Sequence, residues 1–132
     1  MAVYVCTNSG THTFENVESS LSYLVQVHPT EDDPLWLDFV GTIDTIQMDK
    51  IRFMFNLHPL TVDDILNQDS SAKWELFDTY LFLICFIRDS EDDTDSRLSV
   101  VLGDTCILTF HNDENAGIDQ VRLYFSQPLE QV

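Results

Sequence analysis

Helices packed against a mixed sheet, a fold of the α/β class, is what these 132 residues predict. Three observations point to it. Short segments near the beginning and middle of the chain carry alternating or continuous apolar residues, the mark of half-buried or buried strands. Between them lie stretches whose apolar residues recur every three or four positions, the helical period. After Lys73 the helical period gives way to a series of strand-like segments, which reads as an antiparallel run joined by hairpins.

The elements follow in order. Residues 3–6 form a first strand, closed by the turn formers Asn8, Ser9 and Gly10. Residues 15–27 are a helix, with Val17, Leu21, Leu24 and Val25 on one stripe, Glu15 and Glu18 in the first turn, and His28-Pro29 as its stop. Leu35, Leu37 and Phe39 face one way and Trp36 the other in a second strand ended by Gly41. Residues 43–55 are the next helix. After Leu57-His58, Pro59 suits the first position of a third, whose stripe is Val62, Ile65 and Leu66. Trp74, Leu76 and residues 80–87 are aromatic and branched, as buried strands are. Residues 98–102 and 105–110 flank Gly103-Asp104, a signal for a type II′ hairpin. Ile118, Val121, Leu123, Tyr124 and Phe125 mark a closing helix over 118–125. The expected order is β-α-β-α-α, an antiparallel β run, then α, in one domain over 1–132.

Composition narrows function. Hydrophobic residues make up 44% of the chain, enough for a core at this length. Asp and Glu number 23 against 6 Lys and Arg, a formal charge of −17. Such a surface repels phosphate backbones and anionic lipid, so nucleic acid is not expected as a partner, and cations are the natural small ligands. The longest apolar run, Leu81 to Ile87, falls far short of the ~20 residues of a spanning helix. Nothing at the N-terminus reads as a secretory signal. Cys6, Cys85 and Cys106 are odd in number, lie in strand-like segments and lack metal-ligand spacing, so reduced core thiols are expected.

Catalytic motifs are not apparent. The chain has neither a phosphate-cradling glycine loop nor a G-x-S-x-G elbow. Asp89-Ser90-Glu91-Asp92-Asp93-Thr94-Asp95 lacks the glycine of a calcium loop, falls between two expected strands rather than two helices, and reads as a solvated hairpin loop. His111-Asn112-Asp113-Glu114 reads as a polar loop, since adjacent turn residues seldom converge on one ion, and His58 as a helix cap. Asp63 and Asp64 leave two readings open. They suit the positive end of a helix, with Thr61 and Asp64 as a shortened capping box. They also suit a half-site for a hard cation, each carboxylate sharing a face with an amide four residues on, Asn67 or Gln68.

Leu57-His58-Pro59-Leu60-Thr61-Val62-Asp63-Asp64-Ile65-Leu66-Asn67 closely resembles a stretch in the N-terminal cytoplasmic domain of the CorA family of divalent-metal transporters. Leu35-Trp36-Leu37-Asp38-Phe39-Val40-Gly41, the segment from Lys73 to Phe82 and the segment from Val100 to Phe110 are similar to its strands, in the same order. Val121-Arg122 falls where the family's closing helix begins to run toward the membrane stalk, so the resemblance covers about residues 35–122.

The resemblance implies an α/β/α sandwich with a mixed sheet that serves as a regulatory funnel domain on the cytoplasmic face of a membrane, not an enzyme. It implies a homopentamer in which Mg²⁺, Co²⁺ or another divalent cation held between subunits favours the closed state. Asp64 and Asp63 match the family's pair of adjacent acids at those sites, while the partner carboxylates belong to a stalk that this sequence lacks, along with the membrane helices. Two departures stand out. Ser71-Ala72-Lys73 replaces the family's usual Arg-Pro-Lys, and Asp63 stands where Glu is common. The chain is then either a piece cut before the stalk or a free-standing relative. Two alternatives accompany this reading: a stand-alone acidic interaction module of the same fold without metal sensing, and a metal-dependent hydrolase using Asp44, Asp63 or Asp64.

Overall fold

The computed structural model describes residues 1–89 and 94–125. In chain order these form β1 (Ala2–Thr7), β2 (Gly10–Phe14), α1 (Val17–Val27), β3 (Leu35–Val40), α2 (Thr45–Phe55), α3 (Pro59–Leu66), β4 (Lys73–Leu76), β5 (Tyr80–Asp89), β6 (Thr94–Gly103), β7 (Cys106–His111) and α4 (Ala116–Phe125). The strands make one seven-stranded sheet in the order β2-β1-β3-β7-β6-β5-β4. β3 and β7 run parallel, with Leu35 opposite Cys106 and Asp38 opposite Thr109; the other neighbours are antiparallel.

Strand alternation sends successive side chains to opposite faces, and both faces are used. On one, Val3, Val5, Leu37, Phe39, Phe82 and Leu108 meet Leu21 and Leu24 of α1, Met48 and Ile51 of α2, and Val62 and Ile65 of α3. On the other, Cys6 and Trp36 meet Ile118 of α4, with Phe125 packed against them. Three helices below the sheet and one above give the expected α/β/α layering of a mixed sheet. Covered on both sides, β3 is buried at all six positions.

Local chemistry sets the helix ends. Asn16 caps α1 by accepting from Ser19 N–H at 2.8 Å, and Asp44 with Gln47 forms a reciprocal capping box on α2. Gly41 ends β3 at φ 114°, where a Cβ would come within 3.1 Å of the Met1 Cα, so glycine is needed there.

The structure corrects several expectations. Between the Asn8-Ser9 turn and α1 lies β2, which the sequence reading passes over. Gly10-Thr11-His12-Thr13-Phe14 is polar, pairs on one side only and is held by backbone bonds to β1, so it has no apolar period to read. The β6–β7 hairpin is present, but Gly103 lacks the positive φ of a II′ turn, and the last paired residues are Leu102 and Ile107. Glycine serves close approach here, since a Cβ would sit 3.1 Å from the Cys106 carbonyl oxygen. Most of the acidic stretch from Asp89 to Asp95 lies outside the described residues; Asp89 and Asp95 belong to β5 and β6.

Candidate functional site

Pro59 occupies the first turn of α3, where its missing N–H costs nothing, and His58 is the N-cap. The His58 Nδ1 accepts from Leu60 N–H at 3.0 Å, the capping role expected of it. Thr61 is therefore not a cap. Its hydroxyl is buried inside the helix–sheet interface, 2.7 Å from the Tyr80 hydroxyl. The same shift moves Asp63 and Asp64 out of the first turn, which holds no acid. They lie in the carboxyl-terminal half of an eight-residue helix, near the negative end of its dipole. A carboxylate there is disfavoured rather than stabilised, by roughly 0.3–1 kcal/mol.

Two bases relieve part of that repulsion. Lys73, at the start of β4, forms an ion pair with Asp64 and a second with Glu75 at 2.8 Å. Arg97 of β6 donates to the backbone carbonyls of Asp64 and Ile65, the last acceptors of α3. Ser70 adds a long 3.5 Å contact to the Asp64 carboxylate, which is half-buried. Asp63 is exposed, and among the described residues no ion pair engages its carboxylate. The two acids thus differ: Asp63 is open to an added cation, while Asp64 already shares its charge with Lys73. Sequence reading missed Lys73 and Arg97 as partners because each reaches α3 from a strand that follows it.

A second polar constellation lies between the sheet and α4. Asp38, fully buried in β3, accepts from the Thr109 hydroxyl at 2.6 Å and stands 2.6 Å from His111 Nε2. Its other oxygen pairs with the guanidinium of Arg122. Trp36 Nε1–H donates to the Thr109 oxygen at 2.8 Å, extending the chain of bonds. Arg122 also pairs with Asp119 and stacks 3.9 Å from the centre of the Tyr4 ring, whose hydroxyl donates to Glu114 at 2.7 Å. A buried carboxylate needs this degree of pairing to stay charged. His111 is thus the last residue of a buried strand, not part of a polar loop as the sequence suggested. The readable signal was an Asp inside an otherwise apolar strand, since such a charge requires partners.

Other singled-out residues have local roles. The Asp44 carboxylate is engaged by the Gln47 backbone at 2.8 Å. His28 ends α1 in the left-handed region at φ 50°, and His12 lies against Tyr23 with ring centres 4.9 Å apart. Cys6 and Cys106 are buried free thiols and Cys85 is half-buried; burial pushes Cys6 up to about 11. At the carboxyl ends of the parallel strands, Gly41, Phe110, His111 and Asn112 line a cleft of only about 130 Å³, small beside the ~300–1,000 Å³ of ligand pockets. Among the described residues no group of three or more His, Cys, Asp or Glu could hold a metal ion within one chain.

Comparisons with known proteins agree on the origin of this fold. The cobalt/magnesium transport protein CorA of Thermotoga maritima is 27% identical over 93 residues, covering 67% of this chain and 26% of that protein. Magnesium transporter ALR2 of Saccharomyces cerevisiae is 31% identical over 96 residues, covering 69% of this chain and 11% of that protein. The chain therefore spans about a quarter of the first relative's length and about a tenth of the second's. The structure of the soluble domain of CorA from Methanocaldococcus jannaschii superposes with a TM-score of 0.63 at 14% identity, over 98% of this chain and 48% of that one. Among the described residues no helix is long and apolar enough to cross a membrane. The family model for CorA-like Mg²⁺ transporter proteins matches residues 31–131, more than half of the sequence, and the chain belongs to that family.

Proposed function

We propose that this chain is the cation-sensing regulatory domain of a CorA-like divalent-cation transporter. It lies on the cytoplasmic face of the membrane and assembles as a homopentamer through stalk and membrane segments outside this sequence. Asp63 and Asp64 each supply part of a site for Mg²⁺, with Co²⁺ or another divalent ion as substitutes, and a neighbouring subunit completes it. The observation that carries this reading is the position of the two acids. At the negative end of α3 they gain nothing from the helix, and Asp63 has no ion-pair partner among the described residues, so added positive charge is what the site lacks.

The charge of −17 supports the gating step. Neighbouring domains repel one another, a bound cation offsets that repulsion at the subunit boundary, and its loss shifts the population toward separated subunits. The ion pair of Asp64 with Lys73 supports a second reading, an acidic module of this fold that has replaced its metal by a lysine.

Thermal melts in Mg²⁺ or Co²⁺, against NaCl at matched ionic strength, separate the two. An incomplete oxygen site binds on the order of millimolar, so 10 mM divalent ion should raise Tm by about 5 °C beyond NaCl. The Asp63→Ala/Asp64→Ala pair should abolish that excess. An equal response to NaCl, or an excess that survives the double substitution, would leave the acidic module as the better reading.

A further inference from the structure

Both ring nitrogens of His111 face oxygen acceptors. Nε2 stands 2.6 Å from Asp38 Oδ1 and Nδ1 stands 2.8 Å from the backbone carbonyl of Asp113. A neutral imidazole has a single N–H, so either tautomer aims a lone pair at one of these oxygens. Only the imidazolium donates in both directions. The ring is buried, so solvent does not take over the contact that deprotonation would lose.

The two acceptors belong to different parts of the molecule. Asp38 is in β3, whereas Asp113 is in the connection that leads from β7 into α4. That connection ends at Asn115, whose carboxamide oxygen accepts from the N–H groups of Gly117 and Ile118 at 2.9 and 3.2 Å, capping α4. Arg122, about two turns beyond Asn115, meets the other oxygen of Asp38. We propose that the His111 imidazolium is a proton-operated latch, holding the β7–α4 connection and α4 against the sheet until the proton is lost.

Asp38, Arg122 and the Asp113 carbonyl act on the ring itself, and the other charged and titratable groups of the packed elements surround Arg122 and Asp38. Asp38 comes from β3, Arg122 and Asp119 from α4, Asp113 and Glu114 from the connection, and Tyr4 and Cys6 from β1. Burial works against the charged ring, and Arg122 adds to that. The hydrogen bond and charge of Asp38, with the Asp113 carbonyl, outweigh both and hold His111 above its ordinary value of 6.5. A raised value fixes the sign: the latch contributes fully below about pH 6.5 and is lost as pH rises through the raised value. Each unit of elevation weakens the deprotonated latch about tenfold.

The test uses the full chain between pH 5.5 and 8.5. Nuclear magnetic resonance follows the His111 ring, and amide hydrogen exchange, corrected for intrinsic rates, follows α4. In a Trp74→Phe background, emission reports Trp36, whose ring lies 5.8 Å from Phe125 of α4. His111 should titrate above 6.5. Protection of α4 should fall about tenfold per unit of elevation with the same midpoint, and Trp36 emission should move to the red. His111→Gln, which stays neutral, should remove the transition and keep α4 at the loosened level. A His111 titration at or below 6.5, α4 protection that stays constant through it, or a transition that persists in His111→Gln would overturn the latch. If His111→Gln does not fold, the first two criteria decide on the wild-type chain alone.

Discussion

A divalent ion that uses Asp64 must displace the ammonium of Lys73 or share the carboxylate with it. Both side chains are partly exposed, so the ion pair is worth only ~0.2–1 kcal/mol after solvent screening. Lys73→Met should therefore tighten Mg²⁺ binding by at most about fivefold, read as a larger divalent-specific rise in Tm; an unchanged or smaller rise would mean that Asp64 takes no part. This residue-scale competition was only half legible beforehand. Two adjacent acids in a helical segment are visible in the sequence, but a lysine nine positions later acquires meaning only when β4 is placed beside α3. Asp38 is a sharper case. It stands among Leu37 and Phe39, where an isolated charge cannot be tolerated, yet its partners Thr109, His111 and Arg122 lie 71, 73 and 84 residues away. No spacing rule reaches that far, so the need for partners was readable and their identities were not.

Among the elements, α3 shows how a cap fixes chemistry. Because His58 rather than Thr61 starts the helix, its negative end falls beside Asp63 and Asp64, and the carboxylates change from a stabilising to a destabilising position. His58→Ala should cost about 0.5–2 kcal/mol in denaturant melts, and His58→Asn should recover most of it because its side chain also accepts the Leu60 N–H. Equal losses in both variants would point instead to the ring's packing on Phe77, 5.3 Å between centres. Helix α1 and strands β5 to β7 were legible because their apolar periods are strong, whereas α2 buries only Met48 and Ile51, and β4 is an edge strand whose Trp74 and Leu76 are exposed rather than buried as expected. β2 was not legible, since an edge strand with three exposed polar residues in its middle has no such pattern and exists through its pairing with β1. The turn at Gly103 was misread for a related reason: the glycine answers a crowded carbonyl from the next strand, which a dipeptide signal does not contain.

For the molecule as a whole, helices packed against a mixed sheet were legible from the order of periods and their α/β/α layering from the family resemblance, whereas the pairing of β3 with β7 was not legible. That parallel seam joins two antiparallel ribbons, β2-β1-β3 and β7-β6-β5-β4, through residues 71 apart such as Asp38 and Thr109. Its consequence is kinetic. Each hairpin closes a short loop, but the seam must close a long one before any of its contacts are gained. The β4–β7 meander should therefore form early and the seam late. Chevron analysis should give Val101→Ala a φ-value above about 0.5, slowing folding, and Leu37→Ala one below about 0.3, chiefly speeding unfolding; similar values at both sites would contradict this order. Until the seam closes, β3 and β7 present unpaired edges at the centre of the future sheet, and a second chain caught at the same stage offers edges of the same kind. Refolding yield should then depend on protein concentration because of a gap at the middle of the sheet, not at its rim.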